Sequence, residues 1–142
     1  MLGSIGLIQL NKFEKIHKIR RENKEKISLI FEKIPGVRVI KEKKLAETSW
    51  FGVPIVCSEE KSIFNKTSLV RYLEKNGVQT RNYFAGNILM HPAYKGLENP
   101  CNYPNASKVL DNVFFVGCSP VITSSMISYL DDLINKLIED SK

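Results

Sequence analysis

Asn112-Val-Phe-Phe-Val-Gly-Cys118, with the segment that follows Thr123, predicts the architecture of this chain. The run has the length and the β-branched and aromatic content of a buried strand. Thr123 is a residue type that caps helices, and apolar side chains recur after it at three- and four-residue spacings. This apolar helix face comprises Met126, Ile127, Leu130, Leu133, Ile134, Leu137 and Ile138. A buried strand followed by an amphipathic helix predicts a sheet with helices packed on it.

The first third of the chain predicts one long helix followed by two strands. Apolar residues at helical spacing run from about residue 5 to residue 34, and Pro35-Gly36 stops the helix. The stripe consists of Phe13, Ile16, Ile27, Ile30 and Ile34. Residues 37–40 alternate as a strand does, and the charged residues 41–47 form a loop. Residues 49–57 predict a second strand, in which Pro54 removes a donor and so favours a sheet edge or a bulge.

The rest of the chain adds a short helix, a strand and a loop. Asn65 or Thr67 caps the helix, and Asn76-Gly77 supplies the left-handed residue that ends it. Residues 78–84 predict a third strand, and the Asn-, Pro- and Gly-rich residues 95–107 predict a loop. Residues 1–142 are thus expected to form a single α+β domain. It is a small, mainly antiparallel sheet packed by a long N-terminal helix and a C-terminal helix.

The composition excludes several classes of protein. With 142 residues, 43% of them apolar, the chain has enough material for an ordinary core. Its apolar runs are too short for a membrane span and no signal-like leader opens it, so we expect a cytoplasmic protein with no membrane attachment. Three cysteines, Cys57, Cys101 and Cys118, lack the spacing of a zinc site and are interpreted as free thiols used in packing.

The net charge of +6 is concentrated near the N-terminus. Residues 12–44 carry 12 Lys/Arg against 5 Asp/Glu, or +7, while the remainder carries 9 against 10, or −1. A basic nucleic-acid-binding domain is therefore one possible interpretation. However, the charges alternate with apolar positions in helical register and no nucleic-acid motif accompanies them. This pattern favours a solvated helix face and no specific nucleic-acid partner.

Residues 77–94 concentrate side chains that are typical of a ligand-facing surface. Donors, aromatic rings and one imidazole occur together in a segment predicted to be strand followed by loop. The candidate substrate-binding residues are Arg81, Tyr83, Asn87, His91 and Tyr94. Each has an ordinary alternative: Arg81 paired to a carboxylate, Asn87 in a left-handed turn, His91 satisfied by backbone, and the tyrosines used in packing. Trp50 is expected in the core.

Several common catalytic arrangements are not apparent in the sequence. The eight glycines are scattered and form no phosphate-binding loop. His17 and His91 have no nearby carboxylate or thiol in metal-ligand spacing, so no metal site is expected. No nucleophile elbow and no evident pair of catalytic carboxylates occurs. The residues alone therefore yield no complete set of catalytic groups.

Short motifs run in order along the whole chain. They are Leu2-Gly-Ser-Ile-Gly-Leu-Ile-Gln-Leu10, Arg20-Arg-Glu-Asn23, Ser49-Trp-Phe-Gly-Val-Pro-Ile55, Thr80-Arg-Asn-Tyr-Phe-Ala-Gly-Asn87, His91-Pro-Ala-Tyr94, Pro104-Asn-Ala106, and Phe115-Val-Gly117 followed by Pro120. Together they resemble the C-terminal small domain of the DegT-type family, pyridoxal-phosphate-dependent aminotransferases and 3-dehydrases acting on nucleotide-linked keto-deoxy-sugars. The Ala-Gly-Asn motif is more similar to the 3-dehydrase branch.

The resemblance implies a role in deoxysugar biosynthesis of the lipopolysaccharide type, with a nucleotide sugar as substrate. The family's cofactor-binding motifs are not in this sequence, so pyridoxal phosphate is expected in the parent enzymes but not on this chain alone. The five candidate residues would form the substrate-side wall. Arg20, Arg21 and Asn23 would be interface and helix-surface groups.

A partner is then needed, either a separate large cofactor domain or a homologous full-length subunit, and the chain is expected to be inactive without it. The alternative is a non-catalytic module that binds sugar nucleotide or regulates a homologue. In either case the apolar end of the first helix, with Leu2, Ile5, Leu7, Ile8 and Leu10, would be uncovered in the isolated chain. We therefore expect self-association or poor solubility.

Overall fold

The computed structural model describes residues 2–58 and 62–141. Four helices and four strands alternate irregularly along this part of the chain, and the predicted α+β class is confirmed. In order they are α1 (Leu2–Phe31), β1 (Val37–Val39), β2 (Gly52–Cys57), α2 (Lys66–Lys75), β3 (Thr80–Asn82), α3 (Pro104–Asn112), β4 (Val113–Gly117) and α4 (Ser124–Glu139). Three short 3₁₀ turns lie between β3 and α3, at Ile88–Met90, Pro92–Tyr94 and Pro100–Asn102.

The strands form one sheet in the order β1-β2-β4-β3, and every neighbouring pair is antiparallel. β4 therefore lies between β2 and β3, with Phe114 opposite Ile55 and also opposite Asn82. Because side chains alternate along a strand, one face of the sheet carries Phe114 and Val116 while the other carries Phe115 and Arg81.

Helices cover the face that carries Phe114. Phe114 and Phe31 of α1 are both fully buried and meet edge to face, with ring centroids 6.3 Å apart. Leu73 of α2 and Ile134 of α4 belong to the same buried cluster. Edge-to-face aromatic pairs add stabilisation beyond the burial of their area. The core is thus a single layer of side chains between the sheet and α1, α2 and α4.

Both predicted helix caps are observed. The Asn65 side chain accepts a hydrogen bond from the Ser68 amide at the start of α2, and the Thr123 side chain accepts one from the Met126 amide at the start of α4. Gly77 follows α2 with φ of 76°, a left-handed conformation that glycine adopts readily. The predicted face of α4 is largely buried, although Met126 at its N-terminal end is exposed.

Pro54 contradicts the expectation of a sheet edge, because β2 is a central strand that pairs with both β1 and β4. The Pro54 carbonyl accepts a hydrogen bond from the Ile40 amide. The nitrogen of a strand residue faces the same neighbour as its carbonyl, so the missing donor faces β1. β1 ends at Val39, one residue before that position. A proline is tolerated here because the β1 ladder stops where the donor would be needed.

Two other predictions about local structure are corrected. The third strand spans only Thr80–Asn82 and not residues 78–84, since Phe84 has φ of 48° and turns the chain away from the sheet. The predicted loop 95–107 contains the first residues of α3, which begins at Pro104. Proline is well suited to the first turn of a helix, where an amide donor has no partner.

The first half of α1 extends beyond the sheet. Ile5, Leu7, Ile8 and Leu10 are all more than half exposed, and Phe13 of the predicted stripe is 46% exposed. The Leu2 side chain lies outside the described part of the structure. Within residues 2–58 and 62–141, no helix combines the length and apolarity that a bilayer span requires.

Candidate functional site

The candidate site begins at β3, which is fixed at its first residue. The Glu74 carboxylate of α2 accepts hydrogen bonds from the Thr80 amide at 2.9 Å and from the Thr80 hydroxyl at 2.7 Å. These bonds, with the nearby positive charge of Arg81, lower the pKa of Glu74. Thr80 is buried, so the next residue, Arg81, projects from the opposite face of the sheet, where it is exposed. Arg81 donates to the carbonyl of Thr80 at 3.1 Å.

An aromatic cluster covers the same face beside Arg81. Phe115 of β4 lies opposite Arg81, and three rings surround it, with centroids 5.6 Å (Phe51), 6.0 Å (Phe84) and 6.5 Å (Tyr83) from its own. We call Phe51, Tyr83, Phe84 and Phe115 the aromatic platform. Phe51 is 66% exposed and Phe84 is 70% exposed. Large apolar rings held in the open are a feature of ligand surfaces.

Backbone conformation keeps the platform in place. Phe84 has φ of 48°, in the left-handed region that non-glycine residues occupy at a cost, and such residues cluster at functional sites. Gly86 also has positive φ, at 59°, and a Cβ there would stand 2.7 Å from the Cβ of Leu110. The chain can therefore make this turn only with glycine at position 86.

Arg81 and three of the four platform rings, those of Phe51, Phe84 and Phe115, line an open groove of about 560 Å³. Its walls are Arg20, Phe51, Gln79, Arg81, Asn82, Phe84, Phe115, Gly117 and Ser119. The described lining residues include two arginines and no carboxylate, so the groove is positively charged. We call it the arginine groove. Arginine pairs geometrically with phosphate and carboxylate oxygens, and aromatic rings offer stacking surfaces to planar groups.

Arg20 reaches the groove from α1. Its guanidinium donates to the Trp50 carbonyl at 3.2 Å, while its Nε is buried and finds no hydrogen-bond partner among the described residues. Trp50 is half-buried against the core, and its ring lies 5.0 Å from the Lys24 ammonium. Residues 50 and 51, which directly precede β2, thus connect α1 to the groove.

The neighbouring Arg21 and Asn23 hold other parts of the chain to α1. Arg21 donates to both carboxylate oxygens of Glu42, at 2.9 and 3.0 Å, and to the Thr48 carbonyl at 3.1 Å. The Arg21 hydrogen bonds, followed by one from the Thr48 amide, lower the pKa of Glu42 to about 2. Asn23 is buried and donates to the Ser119 carbonyl at 2.9 Å. The interpretation of Asn23 as a helix-surface group is therefore wrong.

Asn87 is almost fully buried, with 2% of its surface exposed. Its amide nitrogen donates to the Ser107 hydroxyl at 3.0 Å and to the Pro100 carbonyl at 3.3 Å, and its oxygen accepts from the Leu89 amide at 3.2 Å. Its φ is −93°, so the alternative of a left-handed turn residue is wrong. Asn87 instead ties the two ends of the loop together.

His91 and Tyr94 lie on the exposed loop that Asn87 closes. The His91 Nε2 is 2.8 Å from the Ala85 carbonyl oxygen, and the Tyr94 amide donates to the His91 carbonyl at 3.0 Å. Tyr94 is 43% exposed. Neither residue is among those lining the arginine groove.

The structure thus divides the five predicted residues into two groups. Arg81 and Tyr83 belong to the groove and its platform, whereas Asn87, His91 and Tyr94 belong to the loop that follows. Sequence reasoning did not assign Arg20, Phe51 and Phe115 to this site. No three metal-ligand side chains cluster anywhere in the described ranges.

Known proteins match this chain over most of its length. A model described as the DegT/DnrJ/EryC1/StrS aminotransferase family matches residues 1–134. The dTDP-4-dehydro-2,6-dideoxy-D-glucose 3-dehydratase of Saccharopolyspora spinosa is 31% identical over 98% of this chain and 30% of its own length. The lipopolysaccharide biosynthesis protein RfbH of Salmonella typhimurium is 25% identical over 92% of this chain and 30% of its own. The chain spans about a third of the length of these curated relatives.

Solved structures give the same result. The Escherichia coli GDP-4-keto-6-deoxy-D-mannose-3-dehydratase with bound hydrated pyridoxal phosphate superposes with a TM-score of 0.77 and 28% identity, over 93% of this chain and 34% of that one. A Streptococcus pneumoniae putative sugar aminotransferase shares the fold, with a TM-score of 0.82 at 16% identity over 98% of this chain and 35% of that one. The predicted resemblance is confirmed, and the chain belongs to the DegT/DnrJ/EryC1/StrS aminotransferase family.

Proposed function

We propose that this chain forms the substrate-side wall of a pyridoxal-phosphate-dependent 3-dehydrase acting on a nucleotide-linked keto-deoxy-sugar. The observation that carries the proposal is the arginine groove. Arg20 and Arg81 offer positive charge to a diphosphate, and the exposed rings of Phe51 and Phe84 offer stacking surfaces to a nucleobase. His91 and Tyr94 lie on the adjoining loop and supply groups that bind sugar hydroxyls.

The relatives support one of the two reaction classes of the family. Relatives named 3-dehydratases are 28–31% identical to this chain, whereas the solved structures titled as aminotransferases share 14–17% identity over similar lengths. We therefore favour removal of a sugar hydroxyl over transfer of an amino group. RfbH adds support for a role in lipopolysaccharide sugar synthesis.

The arginine groove does not fit pyridoxal phosphate. That cofactor is held in enzymes by a lysine or a replacement residue at its aldehyde and by an acidic or basic partner at the pyridine nitrogen. The described residues lining the groove include no lysine, histidine or carboxylate. We therefore place the cofactor on the remainder of the enzyme, in the same polypeptide or on another subunit, and assign this chain the binding of substrate.

The exposed end of α1 supports the need for such a partner. Residues 2–11 contain no charged side chain, and Ile5, Leu7, Ile8 and Leu10 point in four different directions around the helix at 100° per residue. A helix that is apolar on all sides is normally buried. We infer that a cofactor-binding domain surrounds this segment, and that the chain has no activity until it does.

The first experiment is a calorimetric titration of the purified chain with dTDP-glucose and with GDP-mannose. We expect saturable binding that weakens about tenfold or more in Arg81→Ala, because a charge-assisted hydrogen bond to a diphosphate is lost. Arg38→Ala is the matched control: Arg38 is an exposed arginine on β1, at the other edge of the sheet. If the wild-type chain gives no saturable heat, its role in substrate binding is refuted.

A second experiment tests catalysis. The chain is mixed with a separately produced cofactor domain of a 3-dehydrase relative, and the loss of the sugar 3-hydroxyl is followed by mass spectrometry. Association with turnover supports the proposal. Binding of nucleotide sugar without turnover in any such mixture would favour the non-catalytic module instead.

A further inference from the structure

We propose that Asn87 is a positioning residue for His91, and that it acts through the Ala85 carbonyl to fix which imidazole nitrogen faces the ligand. The geometry of the loop between β3 and α3 supports this role. Only the identity of the ligand rests on the proposed function.

Asn87 uses its hydrogen-bonding groups inside the protein. Its two amide protons are directed to the Ser107 hydroxyl and the Pro100 carbonyl, and its oxygen accepts from the Leu89 amide. With 2% of its surface exposed, the side chain presents nothing to a ligand. It joins the start of the loop, the end of the loop and α3 at one buried point. A substrate contact is therefore not its role.

The residues on either side of Ala85 fix the direction of its carbonyl. Phe84 and Gly86 both have positive φ, at 48° and 59°, and Gly86 packs directly on Leu110 of α3. Ala85 lies between these two constrained positions. Its carbonyl oxygen stands 2.8 Å from His91 Nε2. Asn87 holds both the 3₁₀ turn that leads to His91 and the helix on which Gly86 rests.

This contact determines the tautomer of His91. A carbonyl oxygen only accepts hydrogen bonds, so Nε2 must carry a proton. In the neutral ring, Nδ1 is then the acceptor. The imidazole is exposed, and Nδ1 is available to accept a hydrogen bond from a sugar hydroxyl. The Ala-Gly-Asn motif thereby makes His91 an acceptor of defined orientation.

The test is ¹⁵N NMR of the histidine side chains in the full chain at about pH 9, where imidazoles are neutral. There are only two histidines, and His17→Gln and His91→Gln assign them. We compare Asn87→Ala with Asn99→Ala. Asn99 lies in the same loop and its side chain accepts from the Cys101 amide at 3.0 Å, but it is exposed and its side chain forms this bond in place of any with Ala85 or His91.

We expect His91 in the wild type and in Asn99→Ala to show one tautomer, with well-separated ¹⁵N shifts for a protonated Nε2 and an unprotonated Nδ1. In Asn87→Ala the two ¹⁵N shifts move towards each other, as in a ring that samples both tautomers, and affinity for the nucleotide hexose falls about tenfold. If Asn87→Ala does not fold, Asn87→Asp replaces it in the experiment. Aspartate retains the acceptor for the Leu89 amide but cannot donate to the Pro100 carbonyl, so we expect the same changes at His91 and in affinity.

A wild-type His91 protonated on Nδ1 alone would overturn the proposal, as would the wild-type pair of ¹⁵N shifts in both Asn87 variants. If the wild type shows the expected tautomer but binds neither dTDP-glucose nor GDP-mannose, the positioning role stands and the proposed substrate fails. The NMR and the titration therefore report on the two proposals separately.

Discussion

The ring of Phe115 lies so close to Gly52 that a Cβ at position 52 would stand 2.4 Å from the ring's Cδ2 atom. Gly52 belongs to β2 and is paired in register with Gly117 of β4. The absence of a side chain at position 52 lets Phe115 lie across the neighbouring strand, where it meets Phe51. A glycine in a central strand is thus explained by the aromatic platform.

We predict that Gly52→Ala displaces the Phe115 ring and lowers the free energy of unfolding by about 1–3 kcal/mol, as overpacking does. The carbonyl oxygen of Val116, 2.9 Å from the new Cβ, adds to the crowding. Urea unfolding measures the loss. Gly117→Ala is the control: it is the paired glycine in the same register, and a Cβ there meets nothing within 4 Å. Equal stability of the two variants would contradict this account.

Substitutions of Phe84 and Phe114 are predicted to affect different properties, ligand binding in the first case and stability in the second. Phe114 is fully buried, so Phe114→Ala should cost about 3–5 kcal/mol of stability. Phe84 is 70% exposed, so Phe84→Ala should change stability by less than about 1 kcal/mol while weakening nucleotide-hexose binding about tenfold. Thermal unfolding and calorimetry measure the two effects. Unchanged affinity in Phe84→Ala would remove the platform from the site.

The ion pair between Arg21 and Glu42 is expected to contribute to the loss of folding stability at low pH. The pKa of Glu42 is about 2 in the folded chain against 4.5 as its ordinary value, first because of the Arg21 hydrogen bonds. A lowered folded pKa stabilises the protein above the unfolded value, and this stabilisation is lost as pH falls from about 4.5 to about 2.

Glu42→Gln should therefore flatten the dependence of stability on pH in that range. Some dependence remains, because the pKa of Glu74 is also lowered in the folded chain. Urea midpoints at several pH values check this, at low salt because exposed pairs are screened. Glu25→Gln, at an exposed position on α1, is the control. If Glu42→Gln and the wild type have identical pH profiles, the pair contributes nothing measurable.

The uncovered end of α1 predicts self-association of the isolated chain. Sedimentation velocity should show species larger than a monomer at micromolar concentration. The double variant Leu7→Glu/Leu10→Glu should sediment as a monomer, since charge replaces two of the most exposed apolar side chains of α1. Lys12→Glu/Lys15→Glu, which changes charge further along the same helix without removing apolar surface, is the control. A monomeric wild type would refute the prediction.

Local signals in the sequence predicted the elements well. The caps Asn65 and Thr123 and the apolar face of α4 each depend on a few neighbouring residues, and each is observed. The stop predicted at Pro35-Gly36 lies too late in the chain, because α1 already ends at Phe31. Pro54 was misinterpreted because its effect depends on where a different strand ends. The start of α3 at Pro104 was missed because Pro and Asn favour loops as well as helix N-termini.

The site was only half predictable. Arg81 and Tyr83 lie close together in sequence with other polar groups, which is a signal that one segment can carry. Arg20, Phe51 and Phe115 come from α1, the entry of β2 and β4, and no spacing rule joins them. Their meeting depends on the strand order, in which β4 lies between β2 and β3. Asn87 was recognised as special, but its burial could not be known without the partners Pro100 and Ser107.

The buried asparagine at the base of the loop also has an evolutionary consequence. Because Asn87 closes the loop at its root, residues 88–99 make only short 3₁₀ turns and contribute no side chain to the buried core. Such a segment can change in length and in sequence during evolution while the sheet and helices beneath it keep their structure. We expect enzymes built on this frame to diversify their sugar preference there first.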